Sequence, residues 1–71
     1  MPNERTIIMY EISLIDADAQ NTAQALIWAG IKFSVTHYDD VSGLITFCSA
    51  DRRLLNWKKQ HYRIFEDSLQ D

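Results

Sequence analysis

The strongest constraint in this chain is a change of hydrophobic period at residue 16. Ile8, Tyr10, Ile12 and Leu14 alternate with Met9, Glu11 and Ser13, the two-residue period of a strand with one face turned to a core. Directly afterwards Ala19, Ala23, Leu26, Ile27 and Gly30 fall at i, i+4, i+7, i+8 and i+11, the stripe of an amphipathic helix. A strand over Thr6 to Ile15 is thus followed by a helix over about 18–29 that packs back on it. Asp16 and Asp18 offer N-cap oxygens and a charge suited to a helix N-terminus. Gly30 is placed to end the helix in the left-handed conformation.

Ile31, Phe33, Val35 and His37 then alternate with Lys32, Ser34, Thr36 and Tyr38, and Asp39-Asp40-Val41-Ser42-Gly43 is turn chemistry before the extended run Leu44 to Cys48. If Tyr38 faces Leu44 across a five-residue turn, His37 pairs with Ile45 and Val35 with Phe47. That register places Phe33, Val35, Ile45 and Phe47 on one face. It also turns His37 to the core and Cys48 away from it.

Farther on, Leu54, Trp57, His61, Ile64 and Phe65 share one helical face at i, i+3, i+7, i+10 and i+11, and no Gly or Pro interrupts 50–71. The spacing predicts a helix over about 50–66, with Ser49 as N-cap and Asp51 in its first turn. The expected fold is a single α+β domain over 1–71, ordered β-α-β-β-α, with two helices on one face of a three-stranded sheet. The alternative ends the helix near His61 and makes 62–65 a short fourth strand, giving the ferredoxin-like order β-α-β-β-α-β. In the three-stranded version the first strand is an open edge. Residues 1–5 and 68–71 are expected to fray.

Composition narrows the function more than the fold. With 71 residues, 46% of them hydrophobic, the chain can build one small core. A single cysteine closes no intrachain disulfide, so packing alone must hold the domain, as in a reducing compartment. No apolar run reaches the ~18 residues of a membrane helix, and the start Met-Pro-Asn-Glu-Arg is too polar for a signal peptide. The expectation is a cytoplasmic protein that engages no membrane.

Catalytic constellations are missing from the pattern. Cys48 is the only thiol, His37 and His61 the only imidazoles, and the expected hairpin register separates Cys48 from His37. These three residues lack the close spacing of zinc ligands. Asp39 and Asp40, like Asp16 and Asp18, read as turn and cap residues rather than a cation site. The two glycines form no phosphate loop. The expectation is a non-enzymatic protein with no catalytic residues, no metal and no cofactor.

Charge is distributed unevenly. Residues 51–63 carry Arg52, Arg53, Lys58, Lys59 and Arg63 against Asp51, a net +4, while the rest of the chain is net -7. On a continuous helix the former would make a basic ridge. Gly43-Leu44-Ile45-Thr46-Phe47 resembles the third strand of an RNA-recognition motif. Aligned on Phe47, that motif's two base-stacking positions hold Leu44 and Ser42, and its basic position holds Asp40, so the resemblance implies strand pattern without the RNA-binding chemistry. A second similarity, in element order and the Ala29-Gly30-Ile31 corner, is to small-ligand regulatory domains of the ACT type.

Protein binding fits the remaining features. Trp28 lies opposite the expected buried stripe, beside Asn21 and Gln24, and tryptophan is enriched at binding hot spots. Ile7 and Met9 make the outer face of the first strand apolar, with Leu44 beside them if that strand pairs with the third. The expected partner-binding residues are Trp28, Gln24, Ile7, Met9, Leu44, Arg52, Lys59 and Arg63. The expected function is stoichiometric protein binding by an inhibitor or adaptor of the kind phages and plasmids encode, for example against a host defence or transcription complex. A homodimer through the first strand is a further expectation. The alternatives are nucleic-acid contact through the basic second helix and small-ligand regulation.

Overall fold

The computed structural model describes the backbone from Glu4 to Gln70, and side-chain environments from Thr6 to Ser68. It contains one α-helix and four strands: β1 (Glu4–Ile15), α1 (Asp16–Trp28), β2 (Ser34–Asp39), β3 (Leu44–Ser49) and β4 (His61–Gln70), with a 3-10 helix at Arg52–Asn56. The strands form one open sheet in the order β2-β3-β1-β4, and every neighbouring pair is antiparallel. α1 carries the chain from β1 past β3 to β2, and the 3-10 helix carries it from β3 past β1 to β4. Both crossovers skip one strand.

The alternation in β1 sets the layers. Ile12 and Leu14 face the core with Ala19 and Leu26 of α1, Ile31, Phe47 of β3 and Leu54 of the 3-10 helix, all buried. Phe33 tilts against Phe47 with ring centroids 5.2 Å apart. Removing each Leu or Ile of this set from water contributes about 1.5–3 kcal/mol, and these few side chains are most of what such a small domain has. α1 is closed at its C-terminal end by Ile31 N–H donating to the Leu26 carbonyl, with Gly30 at φ +74°, the left-handed turn expected of that glycine.

At its N-terminal end the cap is Ile15, which has no side chain to accept a bond. Neither Asp16 nor Asp18 caps the helix; Asp16 N–H instead donates to the Gly43 carbonyl, and the two carboxylates act through their charge in the first turn. Ile27, expected in the stripe, is 61% exposed, and Thr22 is buried in its place.

The second helix does not form. Only Arg52–Asn56 is helical, as a single 3-10 segment, and the chain is extended from His61 onward. Its cap is Asp51, whose carboxylate accepts from Arg53 N–H, while Ser49 uses its hydroxyl on the Lys32 carbonyl and the Asp51 N–H. The physical reason lies in backbone pairing. A helix through residue 66 would leave one side of β1 without hydrogen-bond partners, whereas β4 pairs with it from Glu4↔Gln70 to Ser13↔His61. Tyr62, Ile64 and Phe65 are also residues that favour strands.

β1 is therefore interior along Tyr10–Ser13, between β3 and β4, and is not the open edge expected of it. Glu4–Met9 and their β4 partners project past β3 as a two-stranded ribbon. Glu4, Arg5 and residues 68–70, expected to fray, are rungs of that ladder; residues 1–3 and 71 lie outside the described residues.

The β2–β3 hairpin is tighter than expected. Asp39 pairs with Leu44 and Tyr38 with Ile45, and a bulge between Val35 and His37 restores the Val35↔Phe47 pair. The four-residue turn is held by Gly43 N–H on the Asp39 carbonyl and by the Asp39 carboxylate, which accepts from Val41 N–H and the Ser42 hydroxyl. The extra bulge residue puts His37 opposite Thr46 on the outer face, so His37 and Cys48 share a face after all.

Candidate functional site

On the helix-bearing side the core stops abruptly at β1. The rows Ile8, Tyr10, Ile12 and Tyr62, Ile64, Glu66 lie side by side, with Tyr10 opposite Ile64 and Ile12 opposite Tyr62. α1 lies over β1 and β3, and the 3-10 helix lies over β1. Where a full second helix would cover β4 there is only one short turn, so Ile8, Tyr62 and Ile64 are exposed and Tyr10 is half-buried. These four make a contiguous apolar strip with Glu66 at its end. Lys59 reaches over its margin, 5.8 Å from the Tyr62 ring centre.

The opposite side of the sheet carries no helix and is covered by its own polar pairs. Ser13 and Thr46 share a 2.8 Å hydrogen bond between hydroxyls. Glu11 and Arg63, direct cross-strand partners, form an ion pair at 3.4 Å. Arg63 also lies over Phe65, 4.3 Å from its ring centre, and Phe65 faces Met9. Cys48 is 7% exposed in this face; burial raises its thiol pKa, and Glu11 and Asp67 add to the shift. It is a protonated, packed thiol.

The expected binding residues do not form one site. Trp28 is 81% exposed at the end of α1, next to the exposed Ile27, with Gln24 exposed one turn earlier. Ile7 and Met9 are half-buried on the outer face of the ribbon. Leu44 is on that face too but pairs with Ile15, about 20 Å along β1 from Met9 at ~3.3 Å per residue, so it is not their neighbour.

The basic ridge is dispersed. Arg52 is in the 3-10 helix, Lys59 in the following loop and Arg63 on β4. Arg53 is held by Asp51 at 2.7 Å, Arg63 by Glu11, and Lys59 donates to the Leu55 and Trp57 carbonyls. His61, expected on an apolar helical stripe, begins β4 and is exposed.

Three grooves flank these surfaces, one of them of about 290 Å³ at Arg52, Arg53, Leu55 and Asn56. An open one of about 600 Å³ is lined by Gly30, Lys32, Ser49, Ala50, Asp51 and Arg52, and its Ser49 hydroxyl and Asp51 carboxylate are engaged within the chain. A mostly apolar one of about 260 Å³ lies between α1 and the β2–β3 hairpin, along Ala19, Gln20, Ala23, Val35, Tyr38 and Ile45. Among the described residues, no group of three or more His, Cys, Asp or Glu side chains is placed to hold a metal ion. No helix among them is long and apolar enough to cross a membrane.

The apolar strip is the surface that sequence reasoning missed. Its signal was the alternative strand at 62–65, which puts Tyr62 and Ile64 on one face and which the helical spacing of the same residues concealed. No family model, no curated protein and no solved structure matches this chain.

Proposed function

We propose that the protein is a non-enzymatic, stoichiometric protein-binding module, an inhibitor or adaptor of the size and character that phages and plasmids encode. The observation that carries this reading is the strip of exposed Ile8, Tyr62 and Ile64 around the half-buried Tyr10, left open where the shortened second crossover fails to cover β4. Contiguous apolar area of this kind on a small domain is a contact surface in waiting. Aromatic residues at its centre suit a partner that closes over it. Trp28 and Ile27 provide a second apolar site. The end of α1 is tied through Lys32 to Ser49, which pairs with Tyr10, so this site lies toward the end of the sheet from which the ribbon projects.

The test is capture from the source cells with the wild-type chain and with an Ile64→Asp/Tyr62→Ser variant that keeps the wild-type circular dichroism spectrum. A protein retained in near-equal amount by the wild type, and lost with the variant, is the expected result. Retention by both would move the site off the strip. Recovery only of nuclease-sensitive material, weakening steeply with salt, would instead favour nucleic-acid contact through Arg52 and Lys58, which have no ion-pair partner among the described residues.

A further inference from the structure

The two edges of the sheet are protected very differently. β2 is six residues long and carries a bulge between Val35 and His37, two devices that stop an edge from recruiting another strand. β4 is ten residues long, has no Pro, Gly or Lys between His61 and Gln70, and pairs with β1 without any register shift. Among the described residues its outer side is a long, regular edge without a strand partner, although the Ser68 N–H donates to the Asp67 carboxylate.

The side chains on β4 are also self-complementary. Arg63, Phe65 and Asp67 point to the same outer face, as their partners Glu11, Met9 and Ile7 do. They read cation, aromatic, anion, with the ring in the middle. An antiparallel copy related by a two-fold axis through Phe65, normal to the sheet, puts Arg63 of each chain opposite Asp67 of the other and Phe65 opposite Phe65. Opposite charges and aromatic pairs are the cross-strand contacts that stabilise antiparallel ladders. Moving the axis to Ile64 sets Arg63 against Phe65 and Tyr62 against Glu66, and the Arg–Asp pairs are lost.

We propose that the occupant of the β4 edge is a second copy of this chain, joined by antiparallel β4–β4 pairing centred on Phe65 into one continuous sheet. The interface is isologous, as a closed dimer requires. This assembly stands independently of any partner at the apolar strip, since Arg63, Phe65 and Asp67 are on the other face. It places the two strips side by side on the helix-bearing side.

Sedimentation equilibrium and charge reversal test it. The wild-type chain is expected at about twice its 8.3 kDa mass. Arg63→Asp and Asp67→Arg each set like charges opposite one another twice, and each is expected to weaken dimerisation at least about tenfold. Mixed in equal amounts, the two variants are expected to associate again, because each Asp of one then faces an Arg of the other. Arg63→Asp also removes the Glu11 ion pair, so a second measurement does not depend on it. In a Cys48→Ser background, Phe65→Cys is expected to form an intermolecular disulfide on mild oxidation, and Val35→Cys on the opposite edge is not. A wild-type chain that remains monomeric at about 0.5 mM would overturn the proposal. So would a dimer indifferent to Asp67→Arg with no Phe65→Cys cross-link.

Discussion

Ile12 and Tyr62 are direct cross-strand partners on the same face of the sheet, yet Ile12 is wholly buried and Tyr62 is 64% exposed. The edge of the core runs between them. Truncating the two side chains should therefore have opposite consequences. Ile12→Ala removes core volume that its neighbours cannot refill and is expected to cost about 2–5 kcal/mol, much of the stability of so small a domain. Tyr62→Ser is expected to stay within about 0.5 kcal/mol of wild type while weakening partner capture. Urea denaturation of the two variants, read by circular dichroism, checks both.

Leu54 is the one buried side chain of the 3-10 helix, and with the partly buried Leu55 and Trp57 it ties the crossover to the core. Five residues of 3-10 helix have little stability of their own. Leu54→Ala is expected to cost about 2–5 kcal/mol. Its effect should also be local first. The amide of Gln60, which donates to the Ser13 carbonyl where the chain joins β4, should lose hydrogen-exchange protection before the β2–β3 hairpin does. Equal loss at both places would show that the crossover is not a separate unit.

How much of this was legible in the sequence depends on how sharply each element contrasts its two faces. β1 and α1 could be read because Ile12 and Leu14 face Glu11 and Ser13, and because Ala19 and Leu26 face Gln20 and Gln24. β4 could be read only as the alternative strand at 62–65, because each of its faces mixes types: Tyr62, Ile64 and Glu66 on one, Arg63, Phe65 and Asp67 on the other. With no polarity contrast at period two, the helical spacing of Leu54, Trp57, His61, Ile64 and Phe65 won by coincidence. No breaker residue marked the turn at 57–60. The apolar strip was hidden by the same error, since a full helix would have buried it. The outer-face position of His37 was unreadable for another reason: a one-residue bulge leaves no trace in an alternating pattern of Ser, Val, Thr and His.

Gly43 holds φ +75°, and a Cβ added there would meet nothing within 4 Å. Substitution should thus cost only the left-handed backbone, about 1–2 kcal/mol for Gly43→Ala. Gly43→Asn should recover part of that loss, because asparagine tolerates this conformation. A loss well above about 2 kcal/mol, measured by thermal unfolding, would mean that the turn makes contacts beyond its own hydrogen bonds.

Asp39 and Asp51 give the domain a defined acid sensitivity. Hydrogen bonds from the Ser42 hydroxyl and Val41 N–H hold the Asp39 carboxyl below its ordinary value of 3.8. The Arg53 guanidinium and N–H hold Asp51 below it in the same way. A carboxylate whose pKa falls on folding stabilises the fold above its unfolded value, and that contribution is lost as the pH drops through the folded value. Stability should therefore be flat with respect to these two groups from neutrality to about pH 5, and should decline below about pH 4. Asp39→Asn should flatten part of the decline. Carboxyl carbon chemical shifts of Asp39 and Asp51 that titrate at or above 3.8 would contradict the assignment.

The end of α1 and the basic residues make rival claims as recognition surfaces, and the structure makes the comparison clean. Trp28 is 81% exposed, so Trp28→Ala leaves the fold untouched and reports on binding alone. Arg63 and Lys59 are unsuitable for the matching test, because they hold Glu11 and the Leu55 and Trp57 carbonyls. Arg52 and Lys58 carry no such duty among the described residues, and Arg52→Gln/Lys58→Gln removes two exposed positive charges from the crossover between β3 and β4. For a protein partner seated on the strip and the end of α1, Trp28→Ala should weaken affinity roughly tenfold or more, as truncation of a buried interface tryptophan does. The double Gln variant should then change association chiefly at low salt, because exposed charges steer encounter and are screened. A phosphate-binding surface would reverse the order. The Gln pair would lower both affinity and its salt slope by about two counterions, and Trp28→Ala would be silent.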